Sequence, residues 1–318
     1  MAAINEAIEE FLLDGQASGW SPGTVATYRW HLARWLCWLA ERGAADVGSL
    51  TRRLLREWSA GLAGQWSPAT RKGAVTAVKA FVGWLAAEEL AGADLVRALK
   101  VPQVPKTVQR TLSVAEVQTL LQACEKPAEH GISKEVARLV CVRNAALVAL
   151  LYDSLIRAAE LCALRVADLD LDHGIVAVRI GKGGKGRRAP FGADTRTLLE
   201  AWLAARPAVE HERLFFGLGG LTPGQPLTVS GLRVILRRLG ERAGVPDVSP
   251  HAFRRGGAVA ATLNGAPDRL VQIWAGWSDA KMLAVYTRAL EGSTAAIEAY
   301  GPFSPVSTAV KNGKGAER

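Results

Sequence analysis

A few cationic side chains lie at the ends of predicted helices or in a glycine-rich turn. His251 and Arg254 are three residues apart and follow Ser249-Pro250, a pair typical of a helix start, so both side chains fall on one helix face. Arg157 directly follows a long apolar segment, and Lys182 lies within a glycine-rich turn. Such cations can stabilise the charge that develops on the non-bridging oxygens of a phosphodiester during in-line displacement. The residues therefore suggest chemistry at a phosphate.

Other common catalytic patterns do not fit this sequence. It offers no convincing Ser/His/Asp arrangement and no cluster of metal ligands, and GKGGKG lacks the spacing of a nucleotide-binding P-loop. The cysteines are far apart and form no CxxC pair, so we interpret them as reduced, mostly buried thiols: Cys37, Cys124, Cys141 and Cys162. We therefore expect neither a metal ion nor a cofactor.

Length and charge favour two domains and a polyanionic partner. The chain has 318 residues, more than one ordinary compact core needs, and its 39 Lys and Arg against 30 Asp and Glu give a net charge of +9. Many basic proteins bind no nucleic acid, so charge alone leaves that question open. The acidic N-terminus lacks a targeting pattern, and no segment reaches the ~18 apolar residues of a membrane span. We expect a cytoplasmic, nucleoid-associated protein with no membrane partner.

The first third of the chain reads as a small helical domain. Residues 3–16 predict a short helix, and the pairs Ser21-Pro22 and Ser67-Pro68 begin two longer helices with apolar stripes. Basic side chains occupy the other faces of the second of these helices: Arg71, Lys72 and Lys79. Most tryptophans lie in this region, and their simplest role is helix packing.

A connector and a second domain follow. Two prolines in residues 100–106 indicate an extended linker, after which Ser113 and Glu116 form a capping box. Residues 136–152 predict a central buried helix. Two short strands, 175–180 and 188–191, flank the glycine-rich turn. Further helices are expected at about 193–205, 230–243, 251–263, 267–275 and 279–288, followed by a flexible tail from Gly301.

Taken in order, the candidate segments resemble the motifs of the tyrosine recombinases, or phage integrases. Residues 154–164 (SLIRAAELCAL) look like the TGLRxxELxxL segment, and residues 181–188 look like the GKGxKxR hairpin. Residues 250–255 (PHAFRR) resemble the HxLRH segment. Gly276-Trp277 stands where the family usually has Gly-His, and Tyr286 follows nine residues after Trp277. This ordered set is far more specific than any single piece.

The resemblance implies that Tyr286 attacks the scissile phosphate, leaving a 3′-phosphotyrosine and a free 5′-hydroxyl. Lys182 would be the general acid, and Glu160 would orient active-site groups unless it is an ordinary surface carboxylate. Tyr300 is the one serious competitor as nucleophile, and spacing favours Tyr286. The implied catalytic set is Arg157, Lys182, His251, Arg254, Trp277 and Tyr286.

Three departures from the family pattern lie in these motifs. Leu155 replaces a glycine and could alter the turn before Arg157. Arg255-Gly256-Gly257 replaces a His-Thr/Ser-x run and weakens helix propensity. Trp277 replaces histidine, and its indole N–H can donate a hydrogen bond but cannot shuttle a proton. Packing against the helix of Tyr286 is an equally good role for Trp277.

The implied fold is mainly α and forms a C-shaped clamp on DNA. A SAM-like core-binding domain (1–99), a linker (100–110), an α-rich catalytic domain with a small β-sheet (111–300) and a tail (301–318) would compose it. Double-stranded DNA carrying a recombination site is the expected partner, bound by a homotetramer in the synapse, with accessory proteins unknown. The candidate DNA-binding residues are Arg71, Lys72, Lys79, Lys185, Arg233, Arg237 and Arg238.

Two other functions remain open. A type IB topoisomerase would share the phosphotyrosine chemistry, although the helical N-terminal domain favours site-specific recombination. A DNA-binding regulator with a degenerate active site would lack a catalytic residue, whereas the implied set is complete. The chain starts almost at the core-binding helices, so we expect a simple recombinase without an arm-binding domain. The target sequence, and the choice among integration, excision, resolution and inversion, stay open.

Overall fold

The computed structural model describes residues 3–104, 110–127, 133–179, 186–219 and 223–277. The chain divides into two compact units, Met1–Thr107 and Val108–Arg318, and each unit has its own hydrophobic core. None of the described helices combines the length and the hydropathy that crossing a membrane requires.

The first unit is helical throughout its described part. Serine or threonine side chains cap three of its helices, and the predicted caps are confirmed: the hydroxyls of Ser21 and Ser67 accept hydrogen bonds from the backbone N–H groups of Thr24 and Thr70. The helices are α1 (Ile4–Ala17), α2 (Pro22–Ala40), α3 (Arg52–Gly61), α4 (Pro68–Ala87) and α5 (Asp94–Ala98), with a 3₁₀ turn at Val47–Ser49. The sequence did not predict α3, which has few apolar residues and buries only Leu55 and Trp58.

Aromatic rings fill the core of the first unit. Trp35 and Phe81 are fully buried, and their ring centroids lie 5.9 Å apart. The packing role expected for the tryptophans is confirmed for Trp35 and Trp58 but not for Trp30, which is 46% exposed. The expectation of mostly buried thiols is wrong for Cys37, which is exposed because it lies on the outer face of α2.

The second unit surrounds the long helix α7 (Lys134–Asp153). Helices α6 (Val114–Glu125), α9 (Ala193–Ala205) and α11 (Pro250–Leu263) pack against it, and nine of its residues are buried, as expected of a central helix. The predicted capping box of Ser113 and Glu116 is present at the start of α6. The remaining helices of the described part are α8 (Ala158–Ala163), α10 (Val229–Ala243) and α12 (Asp268–Ala275), with a 3₁₀ turn at Val166–Asp168.

A small antiparallel sheet lies beside these helices. It contains β1 (Leu169–Asp170), β2 (Ile175–Val178) and β3 (Arg187–Pro190), in the order β1-β2-β3. Ile175 pairs with Pro190 and Val178 with Arg187, so the second predicted strand begins one residue earlier than expected. The turn that carries Lys182, the helix predicted at 279–288 and the tail from Gly301 lie outside the described residues.

The glycine pair in α11 permits two close approaches between backbones. A Cβ atom on Gly256 would lie 2.1 Å from the carbonyl oxygen of Leu112, and one on Gly257 would lie 2.1 Å from that of Tyr152. Both glycines are buried, so no solvent space is available to relieve such contacts. The departure that weakens helix propensity therefore allows α11 to lie directly against the end of α7 and the chain before α6.

We predict that Gly257→Ala lowers the free energy of unfolding by about 2 kcal/mol or more, because backbone must move to admit the methyl group. Urea unfolding followed by circular dichroism measures this. Gly83→Ala in α4 is the matched control, since nothing lies within 4 Å of its added Cβ. The free energy of unfolding of Gly83→Ala is expected to rise by up to about 1 kcal/mol, because alanine has the higher helix propensity. A stabilising effect of Gly257→Ala would contradict the close approach.

Candidate active site

Arg157 lies in the short connection between α7 and α8. Its backbone is extended (φ −79°, ψ 156°) and it caps α8. The backbone N–H donates to Glu160 Oε2 at 2.7 Å, and the guanidinium Nη1 donates to Glu160 Oε1 at 2.8 Å. Arg157 and Glu160 are three residues apart but do not lie on one helix, because α8 begins at Ala158. The pair meets through a capping interaction instead.

Glu160 is buried and has a second arginine partner that the sequence did not single out. Nη1 and Nη2 of Arg187, on β3, donate to Glu160 Oε1 and Oε2 at 2.9 and 2.7 Å. Burial raises the pKa of Glu160, but the hydrogen bonds from Arg187 and Arg157 outweigh it and lower that pKa to about 2. The carboxylate is therefore charged at neutral pH. The one sequence signal for Arg187 was its place at the end of the GKGxKxR-like segment.

His251 and Arg254 come from the first turns of α11, which Ser249 caps as predicted. His251 is exposed, whereas Arg254 is only 4% exposed. Arg254 donates through Nη1 to the carbonyl of Leu155 and through Nη2 to the carbonyl of Ala275. Its guanidinium carbon also lies 5.2 Å from the ring centroid of Trp277. The connection before α8 and the end of α12 thus hold Arg254 from two sides.

Three guanidinium groups meet at the C-terminal end of α12. Arg187 Nε donates to Trp274 O at 2.7 Å, Arg254 donates to Ala275 O, and Arg157 Nη2 donates to Gly276 O at 2.8 Å. Carbonyls in the last turn of a helix lack partners within the helix and carry partial negative charge. We call these three residues, Arg157, Arg187 and Arg254, the arginine cap. Its hydrogen bonds fix the position of the backbone that leads to Trp277.

Leu155 has a left-handed backbone, with φ 53°, at the position where the family motif has glycine. The side chain is 1% exposed and packs with Ala258, Val271 and Ala275. An L-residue in this conformation is strained by roughly 1–2 kcal/mol. Burial of the leucine side chain offsets that cost, and the turn presents the Leu155 carbonyl to Arg254. The departure from glycine therefore preserves the turn.

The pKa of His251 is lowered from its ordinary value. Although the residue is exposed overall, desolvation of its imidazole by the surrounding protein is the main cause, and the nearby cations Arg255, Arg254, Arg233 and Arg157 add to it. The imidazole is therefore neutral at pH 7, with one nitrogen able to donate a hydrogen bond and the other able to accept one.

The other predicted site residues fall into two groups. Tyr286, its competitor Tyr300, Lys182 and Lys185 lie outside the described residues. The predicted DNA-binding residues of the described part lie at the surface: Lys72, Arg233, Arg237 and Arg238 are exposed, and Arg71 and Lys79 are partly buried. Arg233 and Arg237 line an open groove of about 910 Å³ that reaches Ser249, two residues before His251, and Arg110 also lines it. Within the described ranges, no group of three or more His, Cys, Asp or Glu residues is placed to hold a metal ion.

This arrangement suits an anionic group with developing charge. Two guanidiniums are held rigidly by carbonyl and carboxylate acceptors, and a neutral imidazole and an indole lie on adjacent segments. Donors that are positioned in advance stabilise a charged transition state without reorganising during the reaction. The described part of the site can therefore bind and stabilise a phosphoryl group.

Substitutions at Leu155 test the strained turn. We predict that both Leu155→Gly and Leu155→Ala are destabilising, and that Ala is worse than Gly by about 1 kcal/mol because only Gly relieves the left-handed backbone. Leu147, buried in the interior of α7, is the matched control, where Gly should be worse than Ala by about 1 kcal/mol. Urea unfolding midpoints give both orders. The same order at both positions would contradict the strain.

Titration of His251 tests the electrostatics of the site. We predict that its pKa in the folded protein is lower than in the urea-unfolded chain, because burial and four cations disfavour the imidazolium. As a consequence, protonation below pH 6.5 is linked to loss of stability. NMR titration of the imidazole, assigned with His251→Gln, measures this pKa. An elevated value would show that an anion dominates this position.

Comparison with known proteins identifies the family to which both parts of the chain are similar. A family model for the phage integrase family matches residues 110–292, and one for the phage integrase N-terminal SAM-like domain matches residues 8–89. The tyrosine recombinase XerC of Mycobacterium bovis is 33% identical over 291 residues, covering 90% of this chain and 94% of XerC. XerC of a second Mycobacterium species is 31% identical over 296 residues, with the same coverage.

Solved structures share the fold. The XerA recombinase aligns with a TM-score of 0.52 and 24% identity, covering 94% of this chain and 99% of XerA. A lambda integrase tetramer bound to a Holliday junction aligns with a TM-score of 0.64 and 14% identity, covering 88% of this chain and 78% of the integrase. The family models and the XerC relatives show that the chain belongs to the phage integrase family and is a site-specific tyrosine recombinase.

Proposed function

We propose that this recombinase cuts and rejoins DNA strands through a 3′-phosphotyrosine on Tyr286. The observation that carries the proposal is the arginine cap, which holds Arg157 and Arg254 in fixed positions near Trp277, nine residues before Tyr286. A guanidinium pair of this kind can bind the non-bridging oxygens of a scissile phosphate in both the ground state and the transition state, and more strongly in the latter.

The proposed reaction exchanges one phosphodiester bond for another. The phenolic oxygen of Tyr286 attacks phosphorus, the bond from phosphorus to the 5′-oxygen breaks, and Lys182 donates a proton to that leaving oxygen. The phenolic proton passes to a neutral base, for which His251 is suited by its lowered pKa. A 5′-hydroxyl from a second strand then attacks the phosphotyrosine and releases Tyr286. The phosphodiester bond energy is conserved, so the reaction needs neither ATP nor a cofactor.

Trp277 and Glu160 have supporting parts in this proposal. The indole of Trp277 donates a hydrogen bond to a phosphate oxygen, a role that requires no proton transfer. Glu160 keeps the Arg157 fork oriented through two hydrogen bonds. Packing remains part of the role of Trp277, which contacts the cluster around Leu155.

We propose double-stranded DNA as the partner, with a homotetramer acting on two recombination sites, by analogy with the lambda integrase tetramer on a Holliday junction. The exposed cations Lys72, Arg233, Arg237 and Arg238, together with Arg71, Lys79 and Lys185, would contact phosphates and position the protein. Such contacts carry no sequence information themselves. The proposed place of action is the cytoplasm, on the chromosome.

Covalent trapping tests the nucleophile. The protein is incubated with DNA that carries the sequence flanking its gene, in EDTA, and the adduct is trapped with SDS and mapped by peptide mass spectrometry. We predict a 3′ adduct on Tyr286 that Tyr286→Phe abolishes and the control Tyr300→Phe retains. An adduct on Tyr300 would contradict the assignment. DNA binding without any adduct would favour a regulator, and relaxation of plasmids that lack the site would favour a topoisomerase.

The general acid can be tested with the same DNA. In a substrate with sulfur in place of the 5′-bridging oxygen, the leaving thiolate needs no proton. We therefore predict that Lys182→Ala cleaves the ordinary DNA at least about 100-fold more slowly than the unmodified protein and regains most of that rate on the sulfur substrate. An equal loss on both substrates would contradict the assignment of Lys182.

A further inference from the structure

We propose that Arg187 is a positioning residue for strand cleavage, and this inference rests on the proposed function. Its side chain is 8% exposed, and three donor atoms are engaged: Nη1 and Nη2 with the two oxygens of Glu160, and Nε with Trp274 O. One planar group thus joins β3, the start of α8 and the end of α12. Arg157 likewise binds both Glu160 and the residue that caps α12, Gly276.

The hydrogen bonds connect Arg187 to Arg157 through a shared acceptor. Glu160 Oε1 accepts from both guanidiniums, at 2.8 Å from Arg157 Nη1 and 2.9 Å from Arg187 Nη1. Glu160 Oε2 accepts from Arg187 Nη2 and from the backbone N–H of Arg157, both at 2.7 Å. Arg187 therefore determines where the carboxylate lies, and the carboxylate determines the direction of the Arg157 fork.

Arg187 also bears on the segment that leads to Trp277. A Cβ atom on Gly276 would lie 3.0 Å from Arg187 Nε, so the guanidinium lies directly against this left-handed glycine. On its own strand, Arg187 pairs with Val178 at the end of the β2–β3 ladder nearest to the segment that contains Lys182. The side chain thus contacts two parts of the proposed site, Glu160 and the end of α12, and its own backbone lies on the strand that follows the Lys182 segment.

Stability alone does not explain an arginine at this place. Burying a charged pair costs desolvation energy that well-packed apolar side chains would avoid. An apolar residue could not supply this directional fork, because one guanidinium binds both oxygens of the Glu160 carboxylate and, on a separate segment, the carbonyl of Trp274. A positional role in catalysis accounts for the choice of arginine.

The test uses a lysine variant, because loss of the charge could leave Glu160 buried without compensation and unfold the protein. Arg187→Lys keeps the charge but loses the fork. The matched control is Arg188→Lys, on the same strand, whose side chain is 68% exposed and pairs with Asp170. Three quantities are measured: the urea midpoint, the affinity for uncleaved site DNA, and the rate of covalent complex formation at saturating protein.

We expect Arg187→Lys to have the same urea midpoint as the unmodified protein and an affinity for DNA within about twofold of it. Its cleavage rate should be about tenfold lower. Arg188→Lys should match the unmodified protein in all three. Cleavage by Arg187→Lys at the unmodified rate, or a lower urea midpoint with no slower cleavage, would overturn the inference.

A substrate whose scissile phosphate is uncharged distinguishes a positioning role of Arg187 from a general structural defect of the variant. Replacing one non-bridging oxygen of the scissile phosphate by a methyl group removes the charge that Arg157 would neutralise. The defect of Arg187→Lys should then shrink to within about twofold, and in an Arg157→Ala background Arg187→Lys should cause no further loss on ordinary DNA. If Arg187→Lys lost the same fraction of the cleavage rate on the ordinary and the neutral phosphate, the inference would be overturned. It would also be overturned if the rate losses of the two substitutions multiplied in the double variant.

The two claims fail in different ways. If the unmodified protein forms no adduct on any site DNA, the proposed function fails and the inference falls with it. If the unmodified protein cleaves but the Arg187 results follow the structural pattern, the proposed function stands and only the role of Arg187 is wrong.

Discussion

Three arginine side chains bind the last carbonyls of α12, and the proposed active site depends on this interaction. The acceptors are the consecutive carbonyls of Trp274, Ala275 and Gly276, and the donors come from three other segments of the second unit. Helix ends favour cations because their carbonyls lack partners, and Glu160 balances part of the charge that the arginines bring. The cap therefore holds cations beside one another, although like charges repel, and it fixes the segment that leads to Trp277.

Several unusual features of the sequence serve this interaction. Gly256 and Gly257 remove side chains where α11 meets Leu112 and Tyr152, so that Arg254 can reach both Leu155 O and Ala275 O. Leu155 has a left-handed backbone, and its buried side chain packs against α11 and α12. Strained or helix-weakening residues are common where function requires a particular geometry. These departures from the family motifs thus allow the helices to pack closely, and the arginine side chains keep their positions.

Local signals predicted much of the fold. The caps at Ser21, Ser67 and Ser113 and the apolar α7 were readable because a cap or a stripe is encoded within a few residues. Features that depend on distant contacts were not: Arg187 meets Glu160 across 27 residues, and Arg157 meets Gly276 across 119. Likewise, no local pattern indicated that α8 begins at Ala158 or that Leu155 has a positive φ. Motif order identified Arg157, His251 and Arg254 as candidates, but only the three-dimensional arrangement identified the acceptor that Arg157 shares with Arg187, which is Glu160.

The central claim is that the arginine cap presents Arg157 and Arg254 to the phosphate that Tyr286 attacks. A crystal structure with nicked site DNA and vanadate, which mimics a pentacoordinate phosphorane, tests it most directly. We predict that Tyr286 Oη is an axial ligand of vanadium. We also predict that Arg157, Arg254 and Trp277 lie within hydrogen-bonding distance of the equatorial oxygens and His251 within hydrogen-bonding distance of Tyr286 Oη, with the bonds to α12 retained. A vanadate held by other cations, or by Tyr300, would contradict the roles proposed for the arginine cap and Tyr286.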